Sequence, residues 1–287
     1  MRRVALLGAG LMGAPFARHL VKQGLEVSLY NRTRSKAEAI EGAEVHDTPI
    51  EAARGAELLF SVLSDDQAVL ETVDRELLQA LAPEGVHLSC STISVAATEE
   101  LVASAAETDR RHISCPFLGR PDFVEKKAHQ FLFSGEIDDR IEIIELLEKT
   151  CKQVVDFGDD PLSAVRGKLA TNFLIAGAVV AMGEAFAMLE QAGIDPSKAH
   201  ELWTSSLFDC PLYKNYGKKI LARDFEEPLF RLALGFKDTS LIVEEARSNG
   251  SSHHLMTAVK DQFEKSMEAG DGELDWTGVT RLIRAEG

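Results

Sequence analysis

The chain has 287 residues, enough for two domains or one large one. Apolar residues make up 45% and charged residues 27%, the proportions of a soluble globular protein. A formal net charge of −15 argues against a general nucleic-acid or anionic-membrane binder, since both need clustered positive charge, but it leaves room for a local basic pocket around one phosphorylated ligand.

The first stretch, VALLGAGLMGAPFARHL (4–20), follows two arginines and admits two readings. A basic start before an apolar run resembles a cleavable secretory leader. A short apolar strand running into Gly8-Ala9-Gly10-Leu11-Met12-Gly13 resembles a phosphate-binding turn. The residues that follow decide. Ala14, Phe16, Ala17, Leu20 and Val21 have helical spacing that stops at Gly24, and LEVSLY (25–30) has the pattern of a strand. Strand, glycine turn, helix and strand within about 30 residues is the setting that the dinucleotide fingerprint requires. Gly8 allows the tight turn, Gly10 lets backbone approach a pyrophosphate, and Gly13 lets helix pack on strand. The helix start offers free N–H groups and its positive dipole end. Gly8, Gly10, Leu11, Met12 and Gly13 are therefore expected to bind a cofactor. The mature protein is expected to keep this segment and to be cytoplasmic.

At the end of the second strand an NAD site carries Asp or Glu, which bonds the ribose hydroxyls. Here Asn31 stands in that place, 18 residues past Gly13, followed by Arg32, Thr33, Arg34, Ser35 and Lys36. Removing the acid and adding cations and hydroxyls suits a 2′-phosphate, so NADP is expected over NAD, with Asn31, Arg32 and Thr33 as contacts.

Further strands are predicted at 57–63, 85–90, 111–117, 129–135 and 153–158, with helices between most of them, including 65–80, 94–108 and 138–150. That alternation predicts an α/β, Rossmann-type doubly wound domain with a mostly parallel sheet covered on both faces. At FGDDPLSA (157–164) the pattern changes. From Ser163 to Gly193 there is neither Pro nor strand alternation, which predicts roughly 45 Å of helix. Its run 173–189 is nearly all apolar, but it is short of the about 20 residues a membrane span needs and Glu184 interrupts it. A buried core helix is expected instead. The remainder reads as helical, with turns at GIDPS, EEPLF and SNGSS. The expected division is a dinucleotide-binding domain at 1–161 and an all-helical substrate and dimerisation domain at 162–287. Small and apolar residues in the second part exceed what a short domain buries alone, so a homodimer or higher homo-oligomer is expected. Ligands of such folds usually sit at the carboxyl ends of the strands and at domain junctions.

Lys168 opens KLATN, and Asn172 lies four residues on, on the same helix face. Transfer of a hydride to a carbonyl leaves negative charge on oxygen. An ammonium beside it can stabilise that charge and donate a proton, and an amide can orient the same oxygen. A lysine of ordinary pKa, about 10.4, already carries that proton at neutral pH.

These residues together resemble the β-hydroxyacid dehydrogenases, the family of 3-hydroxyisobutyrate dehydrogenase, tartronate semialdehyde reductase and the glyoxylate/succinic semialdehyde reductases. LLGAGLMGAPFARHLVKQG (6–24) resembles the family's opening fingerprint. VLSDDQAV (62–69) and STIS (91–94) resemble its nicotinamide-side loops, which implies cofactor contacts from Leu63, Ser64 and Thr92. GKLATN (167–172) is similar to the catalytic-helix motif. The resemblance implies that Lys168 is the catalytic lysine and Asn172 the substrate-binding amide. GFKDTSL (235–241) is similar to the Lys-Asp motif of the helical domain, implying that Lys237 closes over the cofactor and Asp238 supports it. One stretch departs. Where the family reads Asp-Ala-Pro-Val-Ser-Gly-Gly, this chain reads Ser114-Cys115-Pro116-Phe117-Leu118-Gly119-Arg120. The family's serine and adjacent backbone hold the substrate carboxylate. Leu118 has no such donor, so either Arg120, beside Gly119, supplies a charged clamp or the substrate is not a short hydroxy acid. The expected substrate is a small carbonyl compound or hydroxy acid, with Thr92, Gly119, Arg120 and Asn172 in contact with it. A second reading keeps the fold and makes the substrate an imine, although imine reductases usually lack the lysine. A third is a nucleotide-binding protein without catalysis.

Other residues carry less. Cys90, Cys115, Cys151 and Cys210 are far apart in sequence and form no Cys-x-x-Cys, which points away from a disulfide framework or zinc site and toward a reducing compartment. Cys115 reads as a small core residue. His253-His254 sits in a Ser/Gly-rich turn with no third ligand at metal spacing, and no metal is expected. Trp203, Phe208 and Tyr213 are candidates for a pocket lining, with helical core an equal reading for the first two.

Overall fold

The computed structural model describes residues 2–284. The chain forms two compact units, one ending at Lys168 and the other beginning at Leu169. The expected boundary at 161/162 is where the long helix starts, and the division falls about two turns into that helix.

The first unit is built on six strands: β1 (Arg3–Leu7), β2 (Glu26–Tyr30), β3 (Glu44–Val45), β4 (Leu58–Ser61), β5 (Val86–Ser89) and β6 (Arg111–Ser114). They are all parallel, in the order β3-β2-β1-β4-β5-β6. The order reverses between β1 and β4, which is where a doubly wound sheet opens its ligand crevice. Helices α1 (Gly13–Lys22), α2 (Arg34–Glu38), α3 (Pro49–Ala53), α4 (Asp66–Thr72), α5 (Arg75–Ala80) and α6 (Val95–Glu107) connect these strands. On one face Val4, Leu6, Leu29 and Phe60 meet Phe16 and Leu20 of α1. The Phe16 ring is the centre of that core, standing edge-on to Phe60, Phe117 and Phe131 at 5.1, 5.5 and 5.5 Å. On the other face Ala5, Leu7 and Leu59 meet apolar residues of α3, α5 and α6.

Beyond β6 the chain makes a separate three-stranded sheet of β7 (Phe117–Leu118), β8 (Gln130–Phe133) and β9 (Gln153–Asp156), with α7 (Pro121–Glu125) and α8 (Arg140–Glu148) between them. The strand predicted over 111–117 is thus two strands in two sheets. Pro116 has no N–H to carry a ladder onward, and the chain turns to pair antiparallel with β8. The helix predicted over 65–80 is also broken, because the Asp74 carboxylate accepts the Leu77 N–H at 2.8 Å and starts α5 afresh.

Among the described residues the second unit is built of helices, apart from one isolated bridge between Arg231 and Asp275: the greater part of α9 (Leu162–Gln191), then α10 (Pro196–Thr204), α11 (Pro211–Ala222), α12 (Leu232–Ser248), α13 (His254–Glu268), a 3-10 turn (Trp276–Val279) and α14 (Thr280–Ile283). By length and composition α9 could cross a membrane. Its Ala176, Val179, Met182 and Phe186 instead form the core of this unit with Tyr216, Ile220, Phe263 and Trp276. Trp203 stacks on Phe186 at 5.6 Å, while Phe208 packs on Tyr213 at 4.7 Å.

The first unit buries an unusual number of imidazoles. His87 and His112 stand side by side on β5 and β6. Their Nδ1 atoms are 3.2 Å apart, and Ser61 Oγ lies 2.8 Å from His87 Nε2. Burial pushes His112 down to about 3, and burial together with His112 pushes His87 well below its ordinary value. His129, wedged between Phe117 and Phe131, is lowered to about 4 by burial and then by the nearby His19. Neither of its ring nitrogens meets a partner at good hydrogen-bonding geometry, and the Phe123 backbone offsets only part of the shift.

In the unfolded chain each imidazole titrates near 6.5, so below that pH the unfolded state binds more protons than the folded one. The stability they confer is complete above about pH 6.5 and is lost as the pH falls toward 4 and 3. Melting temperature followed by circular dichroism is expected to drop steadily below about pH 6.5. His129→Phe keeps a ring in place and removes the protonation, so it should gain more in melting temperature at about pH 5 than at about pH 8. A gain of the same size at both would contradict the assignment.

Candidate active site

The glycine turn begins where β1 ends. Gly8 has φ +105°, a conformation that glycine adopts freely, and its N–H donates to the Tyr30 carbonyl at 2.9 Å. A Cβ on Gly8 would stand 2.2 Å from the Val62 carbonyl oxygen, and one on Gly13 would stand 1.8 Å from that of Gly8. Both glycines are needed to close the turn. Gly10 differs: it is exposed, and a Cβ there would meet nothing within 4 Å. No side chain caps α1, and the Leu11 side chain is 67% exposed beside the turn. The residues present therefore fit a dinucleotide, with bare backbone at Gly10 and an uncapped helix start for its pyrophosphate.

Asn31 does more than stand at the end of β2. Its Oδ1 accepts the Ala9 N–H at 2.8 Å, and its Nδ2 donates to the Thr33 carbonyl at 2.8 Å. One side chain thus ties the glycine turn to the basic loop. Within that loop Arg34 is held by Glu38 and Asp47. Arg32 and Lys36 are exposed and make no ion pair among the described residues. Their charge is available to a phosphate.

The segments after β4 and β5 hold each other. The Leu63 N–H donates to Ser91 Oγ at 2.8 Å, and Asp66 accepts the Ser94 N–H at 2.9 Å. Asp65 caps α4 and bonds the Ser64 hydroxyl at 2.6 Å. Leu63, Ser64 and Thr92 are thereby brought to neighbouring segments at the carboxyl edge of the sheet. Ser91, Asp65 and Asp66 were not singled out from the sequence. The capping pattern of Asp65 and Ser94 before helical runs was the signal that could have found them.

Arg120 and Gly119 lie beyond β7. Arg120 is pinned by Asp122, with Nε and Nη2 each 3.1 Å from a carboxylate oxygen, and its guanidinium lies over the Phe123 ring at 5.1 Å. The two-pronged contact suits the guanidinium geometry. Gly119, at φ +151°, packs so closely on His129 that a Cβ would meet its Cβ at 2.9 Å.

On α9, Lys168 and Asn172 are 8% and 5% exposed, low values for such polar side chains. Asn172 Nδ2 donates to Asp238 Oδ2 at 2.7 Å. Asp238 is buried on α12, and its other oxygen is 3.0 Å from Lys237 Nζ. Two residues singled out for separate reasons, 66 positions apart, form one hydrogen-bonded pair. With one amide hydrogen committed to Asp238, Asn172 keeps its Oδ1 and one N–H for another partner.

Residues 3–158 match the family model of the NAD-binding domain of 6-phosphogluconate dehydrogenase, and residues 164–283 that of the NAD-binding domain of NADP-dependent 3-hydroxyisobutyrate dehydrogenase. The chain belongs to the β-hydroxyacid dehydrogenase family. It is an NAD(P)-dependent oxidoreductase acting on a CH–OH group. The oxidoreductase YfjR of Bacillus subtilis is 36% identical over 98% of this chain and 100% of its own length. Among solved structures, 3-hydroxyisobutyrate dehydrogenase of Mycobacterium tuberculosis with L-serine superposes with TM-score 0.89 at 23% identity, covering 99% of both chains. A reductive aminase from Aspergillus terreus with NADPH and ethyl levulinate has TM-score 0.63 at 21% identity, covering 99% and 100%. Both structures share the fold of this dehydrogenase.

The two kinds of glycine in the turn make a separable prediction. Gly13→Ala is expected to cost about 1–3 kcal/mol of stability or more, because backbone must move to admit the methyl. Gly10→Ala is expected to melt like the parent yet to bind NADPH about tenfold or more weakly, since its methyl enters the space left for the pyrophosphate. Thermal melts and fluorescence titration of NADPH check both. Gly10→Ala binding at parental strength would place the phosphates elsewhere.

Proposed function

We propose that this dehydrogenase uses NADP(H) to interconvert a small aldehyde or keto acid and the corresponding alcohol or β-hydroxy acid, with Lys168 as its general acid and base. The observation that carries this reading is the buried Lys168–Asn172 spacing on α9, just before its largely apolar run 173–189, with Asn172 fixed by Asp238. When bound, the dinucleotide supplies or accepts the hydride. Gly8 and Gly13 shape the turn, and Gly10, Leu11 and Met12 would present its backbone and the helix start to the pyrophosphate. Asn31, Arg32 and Thr33 would hold the 2′-phosphate and Leu63, Ser64 and Thr92 serve the nicotinamide side, while Lys237, supported by Asp238, is the residue that the family resemblance assigns to closing over the cofactor. In reduction Lys168 donates a proton to the carbonyl oxygen as charge develops there, and Asn172 orients that oxygen. In oxidation the same amine takes the hydroxyl proton, so that direction speeds up as pH rises.

Thr92, Gly119 and Arg120 complete the substrate contacts. Asp122 already fills one fork of Arg120, so a substrate carboxylate gains only the difference between itself and Asp122 at that edge. The imine alternative rests on the shared fold and on Leu118 in place of the family's serine; Lys168 counts against it. A substrate screen with aldehydes, keto acids and cyclic imines separates the two.

The acidic chain has no nucleic-acid or membrane partner in this reading. Its four free cysteines suit the cytoplasm. The exposed stripe Leu174, Ala181 and Met188, spaced by seven along α9, favours a homo-oligomer joined through helices. Light scattering at micromolar concentration is expected to give a dimer or larger, and a monomeric mass would remove this part of the proposal.

NADPH is expected to bind at least about tenfold tighter than NADH, because a charge-assisted contact is worth about 1.5–3 kcal/mol. Arg32→Ala should erase most of that gap, and equal affinities in the parent would refute the 2′-phosphate reading. Lys168→Ala should leave NADPH affinity nearly unchanged and lower kcat by about 10²–10⁴. Lys168→Arg should rescue only part, because a guanidinium stays protonated and has another shape. Normal turnover in Lys168→Ala would show that the acid is a different residue.

A further inference from the structure

We propose that Cys90 and Cys115 form a reversible disulfide that ties together the two segments leaving the carboxyl edge of the sheet, Ser91–Thr92 after β5 and Pro116–Gly119 after β6. The register of β5 and β6 places Ser89 beside Ser114. The ladder runs one step further, since the Cys115 N–H donates to the Ser89 carbonyl at 2.8 Å, so Cys90 and Cys115 are the next pair across the strands. Neighbouring strands lie about 4.8 Å apart, inside the range of about 4.4–6.8 Å between Cα atoms that a disulfide spans. Both side chains enter the same apolar core, 3% and 0% exposed, and both thiols are free.

Local chemistry sets how such a pair behaves. Burial first, then the adjoining Cys90 thiol and Cys151, push Cys115 well above the ordinary thiol range. Little thiolate is present at neutral pH, so oxidation is slow there and quickens as the pH rises. A small oxidant that can enter a packed core is needed, and hydrogen peroxide meets that condition. One thiol takes an oxygen from peroxide: the O–O bond breaks, a sulfenic acid forms and one water leaves. The second thiol attacks that sulfur: the S–S bond forms and its proton leaves with the hydroxyl as a second water. Two thiols have lost two electrons and one peroxide has become two waters. A dithiol reverses the step by exchange.

The consequence follows from what each cysteine adjoins. Cys90 precedes Ser91, whose Oγ receives the Leu63 N–H, while Cys115 precedes Pro116 and the turn through Leu118 to Arg120. A bond between them adds a covalent tie where the backbone hydrogen bond from Cys115 to Ser89 is the last rung between the two strands. Treatment of the whole enzyme with hydrogen peroxide, followed by blocking of free thiols and peptide mass mapping, is expected to give a Cys90–Cys115 linked peptide. Amide hydrogen exchange across 91–94 and 117–120 should slow, and turnover should fall by about tenfold or more and return with dithiothreitol. Cys90→Ala and, should either fold poorly, Cys115→Ser should each abolish the link and resist the loss, whereas Cys151→Ala should behave like the parent. Peroxide products limited to sulfinic or sulfonic acid, a link that uses Cys151, or a Cys90–Cys115 link with unchanged exchange and turnover would each overturn the proposal.

Discussion

The close approach of α1 to β1 is the constraint on which the rest of the first unit depends. Gly13 lies so near the Gly8 carbonyl that no side chain fits between them, and Gly8 is as tightly held against Val62. That closeness allows Phe16, three residues into α1, to reach the centre of the core and meet Phe60, Phe117 and Phe131. The same turn leaves Gly10 open to solvent at the point where the sheet order reverses. Packing and binding thus draw on one local geometry, with different glycines serving each. Asn31 extends it, because a single amide satisfies a backbone N–H of the turn and a carbonyl of the next loop.

The helical unit solves a different problem. α9 is apolar along most of its length, and Ala176, Val179 and Phe186 pack there into the core of the helical unit. Inserting Asn172 and Asp238 into such a setting costs desolvation, since a buried polar group that lacks a partner is worth roughly 1–3 kcal/mol against folding. The 2.7 Å bond between them offsets that cost. It also fixes which way the amide faces, which a solvated asparagine would not maintain. A structural polar pair would serve equally well with both ends satisfied internally. Here one donor and the amide oxygen of Asn172 remain for another group, one helical turn from Lys168.

Much of the fold was legible in the sequence, because both periodicities are strong. Apolar runs separated by helical spacing identify the parallel sheet, and the absence of strand alternation after residue 162 identifies the helical part. The failures are local and share a cause. At 65–80 the apolar spacing continues through Asp74, yet the carboxylate bonds backbone more favourably as a cap than it would mid-helix. At 111–117 the apolar run continues through Pro116, which cannot donate to the ladder. Periodicity reports burial, and single residues that redirect backbone hydrogen bonds can break an element without disturbing it.

The candidate site shows the same limit at the level of side chains. Residue types and spacing singled out Asn31, Arg32, Lys168 and Asn172, and the family resemblance added Arg120 and Asp238, but a sequence does not say where a polar side chain spends its hydrogen bonds. Arg34 and Arg32 look alike in the chain, yet Glu38 and Asp47 claim one and leave the other exposed. Arg120 reads as an open cation, but Asp122, two residues later, occupies its fork. Glu38 and Asp122 lie four and two residues from the arginines they hold, and Asp47 lies 13 from Arg34, so the nearer part of the competition is local and could have been weighed from the sequence. Asn172 and Asp238 are the opposite case. Their pairing across 66 residues depends on how α12 docks on α9, which no local pattern encodes. Short-range charge neighbours therefore decide which basic residues are available to a ligand, whereas long-range packing decides which buried polar residues act together.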